Sequence, residues 1–342
     1  GINRIPDAHE FNSKVPYLWG DFKYDFEPDI FNFSFGPHSG SFIIGNNGVP
    51  VSLSGNGYKI DISGLTVQEY STTAAPQPST IKITTPDGFL YEFGGNTDYL
   101  EYSIPNNPDK VIHKPRQILS WVLKSIKAPN GRMVEFTYTS KLLPNSYTYL
   151  LYLNFEMGTF FVNPTLPPII TKKEIAEQKT MQDDVYSPII NKVTIDNDIE
   201  IKFQTVDGPA FHGNSSSVYY SNISHYDGAT KVKEVKITYF NKGKYTFLNS
   251  LEKNDQLYRF NYYIPPTIPD PLTTSLDHWG FWNGGITNTI TDVKDYCQNV
   301  DSHKKTSGEY FNAGLLSKIT YPTKGYTEII YEQNRYDRVC RV

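Results

Sequence analysis

Short runs of alternating apolar and polar residues, separated by glycine, proline and asparagine, most constrain how this chain can fold. The stretch Ser120–Ser140 reads as a strand, a turn at Pro129-Asn130-Gly131 and a second strand, and similar turns stand at Asn47-Gly48 and Pro86-Asp87-Gly88. A period of two places one apolar face on a β-strand, and glycine and asparagine tolerate the positive φ of tight turns. The pattern therefore predicts β-hairpins.

One hairpin sequence pattern occurs twice, at positions far apart in the chain. The stretch Gly314–Asn334 repeats the cadence of Ser120–Ser140. An isolated hairpin is only marginally stable in water, so reuse of one unit predicts that such units lie side by side and cover each other's apolar faces. The matching positions are Leu123, Ile126, Pro129, Gly131 and Tyr138 in the first copy and Leu316, Ile319, Pro322, Gly325 and Tyr331 in the second.

The composition agrees with a β protein. Aromatic residues make up 15% of the 342-residue chain, with 26 tyrosines and 20 phenylalanines. Such residues favour the pleated, half-buried surface of a sheet. The predicted fold class is all-β, an elongated array of stacked antiparallel β-hairpins with little helix.

The organisation along the chain predicts two hairpin regions and a connector. Residues 1–145 and 185–342 carry the hairpin pattern, and residues 146–184 form a connector or insertion. Within the connector, Thr171–Met181 is the best helical candidate, with Ile175 and Lys179 one turn apart. A later proline-rich stretch, Tyr262–Gly285, excludes an interior strand where the prolines lie.

Charge and hydropathy exclude some partners and leave other properties open. A net charge of −4, with lysine and arginine spread thinly, argues against binding of nucleic acid. No apolar run approaches the ~20 residues of a membrane helix.

The start of the chain and its cysteines leave two questions open. The chain begins at Gly1, which suggests a mature product or a fragment from which a signal was removed. Cys297 and Cys340 could form a disulfide or remain two thiols.

The most distinctive stretch is Leu276–Gly285, which contains two tryptophans. Under one interpretation, Trp279 and Trp282 form a platform for sugar rings, with hydrogen bonds from Asp277, His278 and Asn283. Under the other, which we favour, the tryptophans close the end of a β layer and their indole N–H groups pair with backbone. The two interpretations differ in whether both indoles are exposed.

No residue pattern indicates catalysis or metal binding. The seven histidines lack metal-site spacing, and serines near histidine do not form the G-x-S-x-G elbow of a hydrolase. The sequence therefore predicts no catalytic residue, no cofactor and no metal.

Four stretches together resemble, in the same order, secreted RHS or YD-repeat-like proteins of Bacteroidetes, which are distantly similar to the shell component of Tc toxins. The most specific marks are Asp277–Gly284 and the Tyr321-Pro322-Thr323 hairpin. Two features depart from the family: tyrosine-aspartate pairs are sparse, and neither an RHS core signature nor a self-cleaving segment is found. The four stretches are residues 27–42, 120–138, 258–284 and 314–334.

The resemblance implies a β shell exported to the cell surface or the medium. The expected function is a non-enzymatic scaffold that encloses or presents a partner polypeptide, either further repeats or a C-terminal effector of a longer chain. Tyr321, Pro322 and Gly325 are expected to fix turns, and Trp279 and Trp282 to fix layers. The alternative is a carbohydrate-binding module that uses the two tryptophans.

Overall fold

The fold consists of two antiparallel β-sheets of very different size. The computed structural model describes residues 29–45, 47–55, 57–66, 68, 74–106, 116–144, 146–159, 169–212, 215–285, 293–299, 304–305 and 307–333. Within these residues one α-helix and one 3₁₀ turn are present, so the predicted all-β class with little helix is confirmed.

The small sheet has three strands in chain order, β1, β2 and β3. Aromatic residues alternate along β1, so Phe31, Phe33 and Phe35 share one face, and Phe42 of β2 lies opposite Phe31. The strands are β1 (Ile30–Phe35), β2 (His38–Ile44) and β3 (Pro50–Ser52).

The large sheet has sixteen strands, and most neighbours in space are neighbours in sequence. From β13 to β19 every strand pairs with the next strand of the chain. The strands are β4 (Lys59–Asp61), β5 (Ser79–Thr84), β6 (Leu90–Gly95), β7 (Leu100–Asn106), β8 (Ile118–Trp121), β9 (Leu123–Lys127), β10 (Met133–Leu143), β11 (Ser146–Thr159), β12 (Ile169–Ile195), β13 (Ile199–His212), β14 (Ser215–Asp227), β15 (Thr230–Lys242), β16 (Tyr245–Lys253), β17 (Gln256–Tyr262), β18 (Leu316–Thr320) and β19 (Tyr326–Glu328).

A buried hydrophobic cluster lies where the small sheet packs on β5 and β6 of the large sheet. In β5 every second residue is buried, which is the period expected of a strand with one covered face. Ile81 and Ile83 of this face pack with Phe35 and Phe42 of the small sheet. At this place the two sheets therefore form two layers that share a hydrophobic cluster.

The predicted turns form, and several share one geometry. At Pro86-Asp87-Gly88 the N–H of Thr85 donates to the carbonyl of Phe89 at 2.9 Å, and the N–H of Gly88 donates to the carbonyl of Thr85 at 2.9 Å. Gly88 has a φ of 88°. This is a three-residue hairpin loop closed by a residue in the left-handed conformation, where glycine has no steric cost. The Asn47-Gly48 turn has the same two hydrogen bonds, from the N–H of Gly45 to the carbonyl of Val49 and from the N–H of Gly48 to the carbonyl of Gly45.

The helix predicted at Thr171–Met181 is wrong. These residues belong to β12, which pairs residue for residue with β11, from Ser146 opposite Gln182 to Thr159 opposite Ile169. The lysine and glutamate content of the segment favours a helix locally, but the ladder of the long β11–β12 hairpin satisfies the backbone groups and overrides that preference. The division of the chain into two hairpin regions and a connector stays a prediction.

Between β17 and β18 the described residues 263–315 lie outside the named strands, in agreement with the proline-rich sequence there. The helix α1 (Val293–Gln298) belongs to this part, and its Lys294 forms an ion pair of 2.6 Å with Glu174 of β12. Cys297 of α1 is a free thiol, while Cys340 lies outside the described residues. No helix in the described part of the chain has the length and apolar character needed to cross a membrane.

Candidate functional site

The two hairpins that the sequence repeats have the same structure. The first joins β9 to β10 and the second joins β18 to β19. In the first turn, the N–H of Ala128 donates to the carbonyl of Arg132 at 2.9 Å. In the second turn, the N–H of Tyr321 donates to the carbonyl of Gly325 at 2.8 Å. Leu123 and Leu316 are both partly buried in their sheet positions. The repeated cadence in the sequence therefore corresponds to a repeated unit in the fold.

One predicted correspondence in these turns is off by a residue. The sequence match equates Gly131 with Gly325, but the residues that occupy the left-handed conformation are Gly131, with a φ of 88°, and Lys324, with a φ of 67°. Gly325 is the residue that accepts the closing hydrogen bond, as Arg132 does in the first copy. The second turn thus holds a non-glycine residue in a conformation that such residues rarely adopt. Pro322 and Gly325 lie exposed in this turn.

Each hairpin is closed by a tyrosine whose role the sequence did not indicate. Tyr138 donates its hydroxyl hydrogen bond to the carbonyl of Leu123 at 2.8 Å, and Tyr331 donates to the carbonyl of Leu316 at 2.9 Å. In both copies the donor lies 15 residues after the acceptor. We name these two hydrogen bonds, Tyr138 to Leu123 and Tyr331 to Leu316, the tyrosine latches.

The latches also match in their aromatic surroundings. Tyr99 packs edge-on against Tyr138, with ring centroids 5.5 Å apart, and Tyr263 packs edge-on against Tyr331 at 6.0 Å. Edge-to-face pairs add specific stabilisation beyond the apolar area that they bury. Each latch is therefore a hydrogen bond held in place by a second tyrosine.

We expect Tyr138→Phe and Tyr331→Phe each to lower the free energy of unfolding by about 1 kcal/mol, because each removes one hydrogen bond and leaves its ring in place. Denaturant unfolding of the single variants measures the loss. Tyr326→Phe is the matched control, since Tyr326 is 58% exposed, and its expected change is close to zero. Stability unchanged from the wild type in one latch variant would contradict the predicted contribution of that latch.

The latch at Tyr138 also predicts an alkaline transition. Burial, with the neighbouring hydroxyls of Tyr99 and Tyr220, raises the pKa of Tyr138 to about 12, above the value near 10 of a tyrosine in an unfolded chain. The folded state therefore holds this proton more tightly, so the contribution of Tyr138 to stability is complete below about pH 10. It is lost as the pH rises through about 12. Difference titration of tyrosinate absorbance between the wild type and Tyr138→Phe should show a group that ionises near 12; ionisation near 10 would contradict the prediction.

The stretch Leu276–Gly285 contains a further copy of the three-residue turn. Asp277 N–H donates to the carbonyl of Phe281 at 2.7 Å, Gly280 N–H donates to the carbonyl of Asp277 at 3.2 Å, and Gly280 has a φ of 86°. The carboxylate of Asp277 lies inside the turn, where Oδ1 accepts hydrogen bonds from the N–H groups of Trp279 at 2.8 Å and Phe281 at 2.9 Å. Asp277 is 1% exposed, so it organises the turn from within.

The two tryptophans of this stretch lie in different environments. Trp282 is 7% exposed, donates its indole N–H to the carbonyl of Gly285 at 2.6 Å and packs on Tyr310 with ring centroids 4.7 Å apart. Trp279 is 45% exposed. The indoles therefore do not form one exposed platform, and the paired-platform geometry is not present. Trp282 has the geometry of the layer-closing interpretation, including the paired indole N–H.

The other residues singled out in this stretch are placed as follows. His278 is exposed on the turn. Asn283 accepts a hydrogen bond from the N–H of Gly285 at 3.2 Å, and its own N–H donates to Ser275 at 3.1 Å. Asp277, His278 and Trp279 share one short loop, whereas Asn283 stabilises the chain that follows it. Among the described residues, no group of three or more histidine, cysteine, aspartate or glutamate side chains could hold a metal ion.

The fold and these sites define a class of protein, an all-β protein of stacked antiparallel hairpins. No protein-family model matches the chain, and no curated protein matches it. Among solved structures, it is similar to one described as "Crystal Structure of TcdB2-TccC3", with 10% sequence identity and a TM-score of 0.33. The match covers 70% of this chain and 13% of that chain, and at this level it carries no functional conclusion.

Proposed function

We propose that this protein is a non-enzymatic β scaffold of the RHS or YD-repeat type, secreted or exposed at the cell surface, which encloses or presents a partner polypeptide. The observation that carries the proposal is the strand order of the large sheet. Seven strands from β13 to β19 add one after another at one edge, each paired with its predecessor. A chain built in this way makes a wall whose length is set by the number of hairpins.

The energetics of such a wall favour a structural role. A single hairpin cannot bury enough apolar surface to be stable, so each unit depends on the units beside it. The strand at the end, β19, pairs on one side only with β18 among the described residues. An edge of this kind offers unpaired backbone groups to a further strand. The partner polypeptide in this proposal binds along that edge or against the wall.

The family assignment within this proposal is supported by where the specific sequence marks lie. The Tyr321-Pro322-Thr323 mark forms the turn between β18 and β19, and Asp277–Gly284 forms the closed turn beside Trp282. Both are positions where a repeated β unit needs particular residues, because a wrong turn residue shifts the register of the strands. This geometry does not depend on regularly spaced tyrosine-aspartate pairs, which are sparse in this chain.

Site-specific photo-crosslinking tests the scaffold proposal. A photoreactive residue replaces Tyr326, which lies on β19 at the sheet edge, in protein expressed by its native cells. We expect a crosslinked polypeptide that mass spectrometry assigns to the same or a neighbouring reading frame. The matched control places the photoreactive residue at Lys236, which is also exposed but pairs with Asn222 of β14 on one side and with Glu252 of β16 on the other. Equal products from both positions, or none from Tyr326, would contradict the proposal.

A second candidate function is glycan binding through Trp279 alone. The observation that favours it is the exposure of this indole next to the exposed His278, because aromatic faces stack on sugar rings. Glycan-array binding that disappears in Trp279→Ala, with the fold and the signal retained in Val232→Ala, would support this function. An array without binding by the folded wild-type protein would reject it.

A further inference from the structure

A cleft of about 570 Å³ lies between the small sheet and the large sheet, beside the hydrophobic core. Residues from both faces of β1 form one wall, and residues of β5, β6 and β8 form the other. Its apolar lining includes Phe31, Phe33, Phe42, Ile81, Phe93 and Trp121. No sequence motif indicated this cleft, because its two walls come from strands far apart in the chain.

The size and lining of the cleft match those of ligand sites. Protein interiors are close-packed, and a space of this size beside the core is not a normal packing defect. Clefts of about 300–1,000 Å³ with mostly apolar walls and a few polar groups are typical of sites for small organic molecules. The cleft could therefore accept a molecule with an apolar body.

Arg116, at the approach to β8, supplies the positively charged group of the cleft. Its Nε atom is buried and has no hydrogen-bond partner among the described residues. A buried donor without an acceptor is costly, and more so on a charged group. A guanidinium is best satisfied by a carboxylate, which can accept two parallel hydrogen bonds from it.

Several other polar groups that line the cleft already have partners, whereas Asn32, Ser34 and Gln117 are exposed to solvent. Gln68 donates to the carbonyl of Thr66 and accepts from the N–H of Gln77. Ser120 donates to Glu101 at 3.0 Å. Asp29, which carries a negative charge, also lines the cleft, and this residue already takes part in another interaction. Arg116 is therefore the lining group whose chemistry calls for an added acceptor.

The tryptophan of the cleft has a partner as well. Trp121 donates its indole N–H to the hydroxyl of Ser79 at 3.1 Å, and so presents its ring rather than a polar atom to the cleft. Phe31 packs on Trp121 with ring centroids 5.9 Å apart. The cleft thus places the guanidinium of Arg116 beside a cluster of aromatic and aliphatic side chains within a lining that also contains polar groups, an arrangement that suits an amphipathic anion.

We propose that the cleft binds a monocarboxylate with an unbranched hydrocarbon body, such as a medium-chain fatty acid. The carboxylate pairs with the guanidinium of Arg116, and the hydrocarbon chain replaces water against Phe31, Ile81 and Phe93. The apolar contacts supply affinity, and the arginine sets the orientation and the preference for an anion. This binding site is independent of the scaffold function.

Isothermal titration calorimetry of the full chain with dodecanoate tests the proposal. We expect one binding site, and Arg116→Gln should weaken the affinity at least about tenfold, the factor for loss of a charge-assisted hydrogen bond. Asp29→Asn should strengthen it, because a carboxylate next to the ligand repels it. The control is Arg132→Gln, since Arg132 is exposed and pairs with Asp196 at a distant turn, and its affinity should match the wild type.

Two further titrations make the result decisive. Dodecyltrimethylammonium has the same chain with the opposite charge, and it should bind at least about tenfold more weakly than dodecanoate. Butyrate keeps the carboxylate but lacks most of the apolar body, and it should not bind measurably. The proposal fails if the folded wild-type protein does not bind dodecanoate, if Arg116→Gln binds it equally, or if the cationic chain binds as well. Circular dichroism and thermal unfolding verify that each variant is folded.

Discussion

Replacing Phe42 with alanine is expected to lower the free energy of unfolding by about 3–5 kcal/mol. Phe42 is 2% exposed and stacks on Phe31 with ring centroids 5.0 Å apart. Its ring packs with Ile81 and Ile83 of the large sheet. Removal of the ring takes away apolar contacts and leaves a cavity that the two rigid sheets cannot fill. Denaturant unfolding followed by circular dichroism measures the change.

The control for Phe42→Ala lies on the other face of the same sheet. Val51 of β3 pairs with Ile43, the neighbour of Phe42, and its side chain is exposed. Val51→Ala should change stability by no more than about 0.5 kcal/mol, as most surface substitutions do. Equal losses in the two variants would mean that the small sheet does not share a core with the large one.

Replacing Asp277 with alanine is expected to lower the free energy of unfolding by about 2–4 kcal/mol, because the N–H groups of Trp279 and Phe281 lose their acceptor in a place that water reaches poorly. The turn should then loosen around Trp282, which near-ultraviolet circular dichroism reports. Chemical denaturation gives the magnitude.

Two matched variants separate the hydrogen bonds of Asp277 from other effects. Asp277→Asn keeps the Oδ1 acceptor and should lose less than half as much stability as the alanine variant. His278→Ala removes an exposed side chain from the same turn and should be close to neutral. If Asp277→Ala were as mild as His278→Ala, the carboxylate would not be the organising group of this turn.

The sequence predicted the hairpins well because their signals are local. The alternation in β5 and the residues Pro86-Asp87-Gly88 specify two strands and the turn between them, and the structure has both. The repeated cadence was found from leucine, isoleucine, proline, glycine and tyrosine at matching positions. The sequence did not indicate what Tyr138 and Tyr331 do, because a tyrosine residue does not show which backbone carbonyl its hydroxyl will bind. In both copies that carbonyl lies 15 residues earlier in the chain.

Where the sequence interpretation failed, a distant or competing interaction decided the outcome. Thr171–Met181 has the composition of a helix, yet the ladder with β11 makes it a strand. Gly325 has the residue type of a left-handed turn position, yet Lys324 occupies that position because the register of β18 and β19 places it there. The paired platform of Trp279 and Trp282 failed because the packing on Tyr310 buries only one of the two indoles.

By itself, the sequence determined that this chain forms antiparallel hairpins, where most of them turn, and that one of them is repeated. Only the tertiary structure decided which hairpins are neighbours, that β12 joins β7, β10, β11 and β13, and that the small sheet covers β5 and β6. The cleft with Arg116 arises from that placement. The physical reason is range: turn conformation depends on a few adjacent residues, whereas pairing and layer packing depend on apolar surfaces that meet only after the whole chain has folded.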